Sequence, residues 1–137
     1  MEEKNGNYFQ AMSGGPLVQH ALVALFELYH QGKISLEKIV EKTSHHVAEI
    51  YRLKERGYIR EGYYADLVLV DLHKPWTVLP NNIAYKCQWS PFENQSFSSQ
   101  IQKTFVNGQL IFDQSKWSEN SWNTQIIGKR LLFEKER

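Results

Sequence analysis

The 137-residue sequence has few of the features that mark secreted, membrane-bound or polyanion-binding proteins. Its one cysteine, Cys87, excludes an internal disulfide and favours a reducing compartment, which we expect to be the cytoplasm. No apolar run approaches the roughly 20 residues of a membrane span, so we expect no membrane partner. The 16 basic and 15 acidic residues give a net charge of +1, which provides no general attraction to nucleic acid.

The sequence also lacks the short motifs of familiar catalytic centres. It contains no C-x-x-C, H-x-H, H-E-x-x-H or G-x-S-x-G pattern. Of the five histidines, His45 and His46 are adjacent and would point about 100° apart on a helix, whereas His20 and His30 are ten residues apart. We therefore expect structural or surface histidines, no metal site, no catalytic residue and no cofactor in this chain.

The run L-V-L-V at residues 67–70 divides the sequence into two halves. Four β-compatible apolar residues between Asp66 and Asp71 predict a strand that is buried on both faces. Before this strand the apolar spacing is helical, and after it the residues alternate between turn signals. The sequence therefore predicts an α+β fold whose two halves meet on this strand.

Three helices are predicted in the first half. The first covers residues 16 to 31, with Pro16 in its opening turn, an apolar stripe from Leu17 to Tyr29 and Gly32 just beyond its end. Ser35 is an N-cap candidate for a second helix to about residue 43. A third helix, capped by Ser44, is predicted to run to about residue 56.

The second half predicts short strands joined by turns. These strands cover residues 76–79, 101–106 and 109–112, and a further short strand is predicted before the dividing run, at residues 58–59. Asn107-Gly108 between the last two is a strong signal of a β-hairpin, because both central residues of its turn need positive φ.

One interpretation of the first half is a winged-helix nucleic-acid-binding domain. Two short helices followed by an extended pair have that order, and Arg52, Lys54 and Arg56 would lie on the recognition helix. Glu49 and Glu55 dilute this basic charge, so the winged helix remains the alternative and nucleic acid is not the expected partner.

A second interpretation covers nearly the whole chain. The segments G-Y-I-R-E-G at 57–62 and A-D-L-V-L-V-D at 65–71 resemble the G-x-I-x-x-G-x-x-A-D-L-V-x-x-D run of the amidohydrolase superfamily. W-S-P-F at 89–92 resembles the S-P-F-x-G signature of its dihydroorotase and cyclic amidase branch, with Asn94 in place of the usual glycine. T-F-V-N-G at 104–108 resembles the T-x-V-x-G hairpin, and A-M-S-G-G-P at 11–16 the loop after the eighth barrel strand.

This resemblance implies the C-terminal portion of a dihydroorotase. Residues 1–56 would be the remnant of an incomplete TIM barrel, namely its last active-site loop, last helix and following helices. Residues 57–137 would form a small β-rich domain of the β-sandwich type. The family reaction is the reversible hydrolysis of dihydroorotate to N-carbamoyl-aspartate in pyrimidine biosynthesis, in which zinc activates water.

The resemblance also places a function on the first loop. The full-length enzyme would bind its small-molecule substrate partly through backbone groups at Ala11 and Met12, where Met12 replaces the proline of the family pattern. The zinc ligands and the catalytic Asp of the family have no match in these residues, so the chain alone is expected to be inactive. A barrel helix without its barrel exposes apolar surface, so we expect self-association through residues 16–31.

Overall fold

The computed structural model describes residues 4–11, 13–117, 122–123, 125 and 128–134. Three helical segments precede five short strands. The helices are α1 (Ala21–His30), α2 (Leu36–Val40) and α3 (His46–Ile50), with a π-helical segment (Glu41–His45) between α2 and α3. The strands are β1 (Leu67–Asp71), β2 (Trp76–Thr77), β3 (Ser96–Phe97), β4 (Gln100–Val106) and β5 (Gln109–Asp113). Single 3-10 turns lie at Pro80–Asn82 and Gln114–Lys116.

Helix α1 begins later than predicted and ends as predicted. It starts at Ala21 instead of residue 16 because the preceding residues form a turn, in which the Leu17 carbonyl accepts from the N–H groups of His20 and Ala21. At its end, the N–H of Gly32 bonds to the Tyr29 carbonyl at 2.8 Å, and the next N–H bonds to the Leu28 carbonyl at 2.9 Å. These two bonds and the positive φ of Gly32 form a Schellman motif.

The second and third predicted helices form one continuous helical segment from Leu36 to Ile50. Ser35 caps it as predicted, because its Oγ accepts from the Lys38 N–H at 3.2 Å. Ser44 does not begin a new helix but lies inside the π-helical segment. The segment also ends at Ile50, six residues earlier than predicted, because the chain turns through Arg52 at φ 51°.

This geometry contradicts the winged-helix interpretation. A helix-turn-helix needs two helices set at an angle, whereas residues 36–50 continue through the π-helical segment without a turn. The three basic residues assigned to a recognition helix, Arg52, Lys54 and Arg56, all follow the helix end. Arg56 is buried, with 8% of its surface exposed.

The main sheet has three antiparallel strands in the order β1-β4-β5. The β4–β5 hairpin turns at Asn107 and Gly108, which have φ values of 52° and 79°. This confirms the predicted hairpin. A second, two-stranded sheet pairs β2 with β3. The chain at residues 58–59 is not a strand, and the strand predicted at 76–79 is shortened to two residues.

Strand β1 forms where it was predicted, but the prediction that it is buried on both faces was wrong. Leu67, Val68 and Leu69 are 39%, 46% and 54% exposed. The reason is its place in the sheet: within the described residues, β1 pairs with β4 on one side and forms the edge on the other. Its apolar composition fits a covered strand, but the described chain supplies no cover.

The buried core joins the helical half to the β-rich half. Val23 of α1 packs with Val78 and Phe97, and all three have at most 1% of their surface exposed. The accessible surface is 10373 Å². A compact monomer of this size would expose about 7,400 Å², so the chain leaves an unusually large surface uncovered. No helix among the described residues is long and apolar enough to cross a membrane.

Candidate functional site

Residues 4–17 form the N-terminal loop, whose residue 12 is outside the described part of the chain. The loop presents two aromatic side chains, because Tyr8 and Phe9 are 91% and 93% exposed and their rings meet edge to face at 5.5 Å. Ala11 is partly buried, and its N–H donates to the Asn7 carbonyl at 3.0 Å. The other residue predicted to bind substrate, Met12, lies outside the described residues.

The chain that follows this loop is bonded to residues 82–85. The side-chain amide of Gln19 donates to the Asn82 carbonyl at 2.8 Å and accepts from the Ala84 N–H at 2.9 Å. The backbone N–H of Gln19 donates to the Tyr85 hydroxyl at 2.7 Å. Three hydrogen bonds at one residue therefore fix the start of α1 against a segment more than 60 residues away.

His20 is fully buried in the turn before α1. Its ring stacks at 6.2 Å on Phe97, and the rings of Trp76, Tyr85 and Phe92 also lie within about 6 Å. Its Nδ1 lies 3.1 Å from the Ser90 hydroxyl. The W-S-P-F segment therefore packs directly beneath the start of α1.

Two hydroxyl groups face the Nδ1 atom of His20. The Ser90 hydroxyl oxygen accepts from the Phe92 N–H at 3.2 Å, the Tyr85 oxygen accepts from the Gln19 N–H at 2.7 Å, and the Tyr85 oxygen lies 3.5 Å from Nδ1. Nε2 is buried without a partner among the described residues, and burial lowers the pKa of His20 below 6.5.

Lys4 connects the start of the N-terminal loop to the same region. Its Nζ lies 5.9 Å from the centroid of the Trp89 ring and donates to the Gly14 carbonyl. Trp89 is adjacent to Ser90, which holds His20 at the other end of the loop. Sequence reasoning missed both contacts, since no spacing pattern connects residues that are 70 or more positions apart.

The described residues do not provide a metal site. No three His, Cys, Asp or Glu side chains among them lie close enough to share an ion. Instead, His30 bonds to the Ser99 hydroxyl at 2.8 Å, His45 stacks on Tyr58 and His46 pairs with a glutamate at 3.1 Å. We therefore assign no metal-dependent step to these residues.

The run at residues 57–71 forms a joint between the helical half and the hairpin. The Asp66 carboxylate accepts from the Arg56 guanidinium and from the Asn107 N–H, the latter at 2.7 Å. Arg56 also donates to the Asn107 side-chain oxygen at 2.8 Å. The Gly108 N–H completes the joint by donating to the Ala65 carbonyl at 2.9 Å. The A-D-L-V-L-V-D segment and the T-F-V-N-G hairpin, both first noted as sequence motifs, are thus hydrogen-bonded to each other.

An apolar recess of about 360 Å³ lies between the start of α1 and the main sheet. Val18 and Leu22 line the α1 side, and Val68 lines the sheet side. Most of the remaining lining is aromatic or amide side chain. It includes Trp76, Trp117, Trp122, Phe112, Gln19, Asn82 and Gln100. With little charge and an open apolar wall, the recess has the character of a packing surface more than that of a catalytic cleft.

This fold and these motif contacts agree with a family match over most of the chain. Residues 4–111 match the family described as "Amidohydrolase family". The chain belongs to the amidohydrolase family. Its N-terminal loop, the W-S-P-F segment and the joint all fall within the matched residues.

The relatives with detectable similarity include cyclic amidases. The chain is 34% identical over 129 residues to an allantoinase of Desulfitobacterium hafniense (strain DSM 10664 / DCB-2), covering 93% of this chain and 28% of that protein. It is 29% identical over 117 residues to a dihydroorotase of Pyrococcus horikoshii, covering 85% of this chain and 26% of that one. The chain thus spans about a quarter of the length of these relatives.

A solved D-hydantoinase has a similar fold. It superposes with a TM-score of 0.76 at 20% sequence identity, over 88% of this chain and 26% of the other. At this identity the likeness concerns the fold alone. The helices and small antiparallel sheets described above are therefore those of a mixed α/β amidohydrolase-type fold.

Proposed function

We propose that this chain is the C-terminal portion of a cyclic amidase of the dihydroorotase type. The complete enzyme would hydrolyse dihydroorotate reversibly to N-carbamoyl-aspartate. The observation that carries this proposal is the family match over residues 4–111, together with relatives that include dihydroorotases. The ordered W-S-P-F segment beneath α1 supports it, because this signature resembles the cyclic amidase branch. The proposed location is the cytoplasm, as the single Cys87 favours.

The proposed organisation follows from the same resemblance. Residues 1–56 would complete a barrel whose other strands lie outside this chain, and residues 57–137 would form the β-rich domain. The joint at Asp66 lies next to this proposed boundary and bonds one part to the other. The 39–54% exposure of β1 supports the proposal, since the remainder of such a protein would cover an apolar edge strand.

The proposed role of the N-terminal loop is to form one side of the substrate pocket. Backbone groups at Ala11 and Met12 would hold the ring of the cyclic amide. The Ala11 N–H already donates to Asn7, so a ligand would use its carbonyl oxygen or neighbouring backbone groups. The peptide-like edge of a cyclic amide carries an N–H donor that such a carbonyl accepts.

The chain alone should not catalyse this reaction. The described residues offer no group of three metal ligands, and zinc would be held by residues outside this chain. We expect purified chain with added zinc to show no dihydroorotate hydrolysis above a protein-free blank. The Pyrococcus horikoshii dihydroorotase, assayed beside it by ultraviolet absorbance, is the positive control. Zinc-dependent turnover by the chain, removed by a chelator, would contradict this proposal.

We further propose that a second copy of the chain covers the apolar surface at the start of α1. Val23 and Phe26 of α1 are buried by the chain itself, and the most exposed apolar residues of the segment are Leu17 and Val18, 46% and 91% exposed. The surface in excess of a compact monomer is about 3,000 Å². A standard interface takes about 800 Å² from each partner, so the uncovered surface is large enough to include one such interface.

Sedimentation velocity tests this association. The chain should sediment as a dimer at high concentration, and Val18→Lys should convert it to a monomer because the interface would bury an unpaired charge. Ile59→Lys, at a position 89% exposed and outside this surface, is the matched control and should leave the dimer intact. A monomer at all concentrations in the unchanged chain would overturn the proposal.

A further inference from the structure

Both ends of the N-terminal loop contact two adjacent residues. At the first end, the Lys4 ammonium lies over the Trp89 ring and also bonds to the Gly14 carbonyl. Just beyond the second end, the Nδ1 of His20 and the Ser90 hydroxyl are hydrogen-bonded at 3.1 Å. The loop between them contains two consecutive glycines, and most of its described residues are exposed.

We propose that Trp89 and Ser90 form a clamp that fixes the position of the N-terminal loop. In this arrangement they are positioning residues, which act on a ligand through Lys4 and His20 instead of touching it. The proposal rests on the proposed function in one respect, namely that this loop forms part of the substrate pocket. The clamp itself is a property of the chain and can be measured without substrate.

The Ser90 side of the clamp is rigid because its hydroxyl is used twice. Ser90 is 5% exposed, and its hydroxyl accepts from the Phe92 N–H and is also hydrogen-bonded to His20 Nδ1. The His20 ring is in turn held between aromatic rings, with Phe97 stacked and Phe92 edge-on. A displacement of the start of α1 would break the hydrogen bond and the ring contacts together.

The Trp89 side is weaker and more exposed to solvent. A cation over an indole ring is attracted by the ring quadrupole at the 5.9 Å observed here. Lys4 also bonds to Gly14, so its position closes the loop on itself over ten residues. Ser90 thus fixes the C-terminal end of the loop through His20, and Trp89 fixes the N-terminal end through Lys4.

Amide hydrogen exchange of the chain tests the clamp. The reporters are the N–H groups of Gln10 and Ala11, which both bond to the Asn7 carbonyl within the loop. Ser90→Ala should lower their protection factors by about threefold to tenfold, which is the effect expected from one hydrogen bond. Amides in the middle of α1 and in β4 should change less than those of the loop. Ser96→Ala, which removes the β3 hydroxyl that pairs with Thr77 of β2, is the matched control and should leave the loop unchanged.

A second variant keeps the test valid if Ser90→Ala impairs folding. Lys4→Met removes the cation at the exposed end of the clamp, and Lys4→Arg restores it. The first should lower protection of Gln10 and Ala11, and the second should recover most of it.

The outcomes separate the clamp from the proposed function. Unchanged protection in both Ser90→Ala and Lys4→Met, or an equal loss in the loop and in β4, would overturn the clamp. Neither result depends on a substrate, so a failure of the dihydroorotase assignment would leave the measurement unaffected. If the clamp is correct and the assignment fails, loop protection still responds to both variants.

Discussion

Replacing Gly57 with alanine is expected to lower the free energy of unfolding by about 3–4 kcal/mol. Part of this cost is conformational, because Gly57 has φ 82° and a left-handed backbone costs a side-chain-bearing residue about 1–2 kcal/mol. The rest is steric: an added Cβ would lie 2.4 Å from the Ala48 Cβ and 3.0 Å from the Ser44 carbonyl oxygen. Forcing such an overlap costs about 1–3 kcal/mol.

The position of Gly57 explains why no larger residue fits. The chain leaves α3 at Ile50, turns, and passes back across the same helical segment at Ala48, which is 5% exposed. The backbone must lie directly on the helix for the next residues to reach the joint at Asp66. The first glycine of the G-x-I-x-x-G pattern is thus required by close packing and by its φ angle.

Gly62→Ala is the matched control for this variant. Gly62 has nearly the same φ, 83°, but nothing lies within 4 Å of the Cβ that alanine would add. It should therefore show the conformational cost alone, about 1–2 kcal/mol. Urea unfolding followed by circular dichroism measures the free energy of unfolding of both alanine variants. If Gly57→Ala does not fold, adding Ala48→Gly should relieve the overlap and recover folded protein. Equal losses for the two alanine variants would contradict the steric account.

Asp66→Ala is expected to destabilise the fold by about 3 kcal/mol, because it leaves a buried arginine without its anion. The Arg56 side chain is 9% exposed, and its guanidinium bonds to Asp66 and Asn107 while stacking over the Tyr64 ring at 4.3 Å. Without the carboxylate, the Asn107 N–H at the hairpin turn also loses its acceptor. One substitution therefore affects both halves of the joint.

A surface ion pair in the same sheet provides the comparison. Lys103 and Asp113 are 3.7 Å apart across β4 and β5, and the lysine is 42% exposed. Lys103→Met should cost less than about 1 kcal/mol, as is typical of exposed pairs. Both variants are compared by urea unfolding under one set of conditions. An Asp66→Ala effect no larger than that of Lys103→Met would show that the joint does not hold the two halves together.

Local sequence was sufficient to predict the elements with strong turn or cap chemistry. Asn107-Gly108 requires positive φ at two residues, and the structure has a hairpin there. Gly32 terminates α1, and Asn94 adopts φ 65°, which is the conformation that a replaced glycine would need. In each case the determining interaction lies within a few residues of the chain.

The predictions that were wrong depended on distant or competing contacts. Ser44 has the chemistry of a cap, but the helical segment continues through it as a π-helical turn, so two helices were predicted where there is one. Arg56 was predicted to lie near the end of the third helix and, in the alternative interpretation, on a recognition helix; its burial depends on Asp66 and Asn107, ten and 51 residues away.

The candidate site also depends on contacts between distant residues, which the local sequence does not predict. Resemblance located the N-terminal loop at Ala11, but nothing in the local pattern connects it to residues 89 and 90. The contacts that hold it join Lys4 to Trp89 and His20 to Ser90. The apolar composition of β1 predicted burial, whereas β1 forms the edge of the described sheet and Leu69 is 54% exposed.

The central proposal is that this chain supplies a C-terminal portion of an amidohydrolase and that other residues hold the metal centre. The most direct test of this proposal is a chimera in which the chain replaces the matching segment of the Pyrococcus horikoshii dihydroorotase. We predict zinc-dependent hydrolysis of dihydroorotate by the chimera and none by the relative that lacks this segment. A folded, zinc-loaded chimera without any turnover would contradict the account.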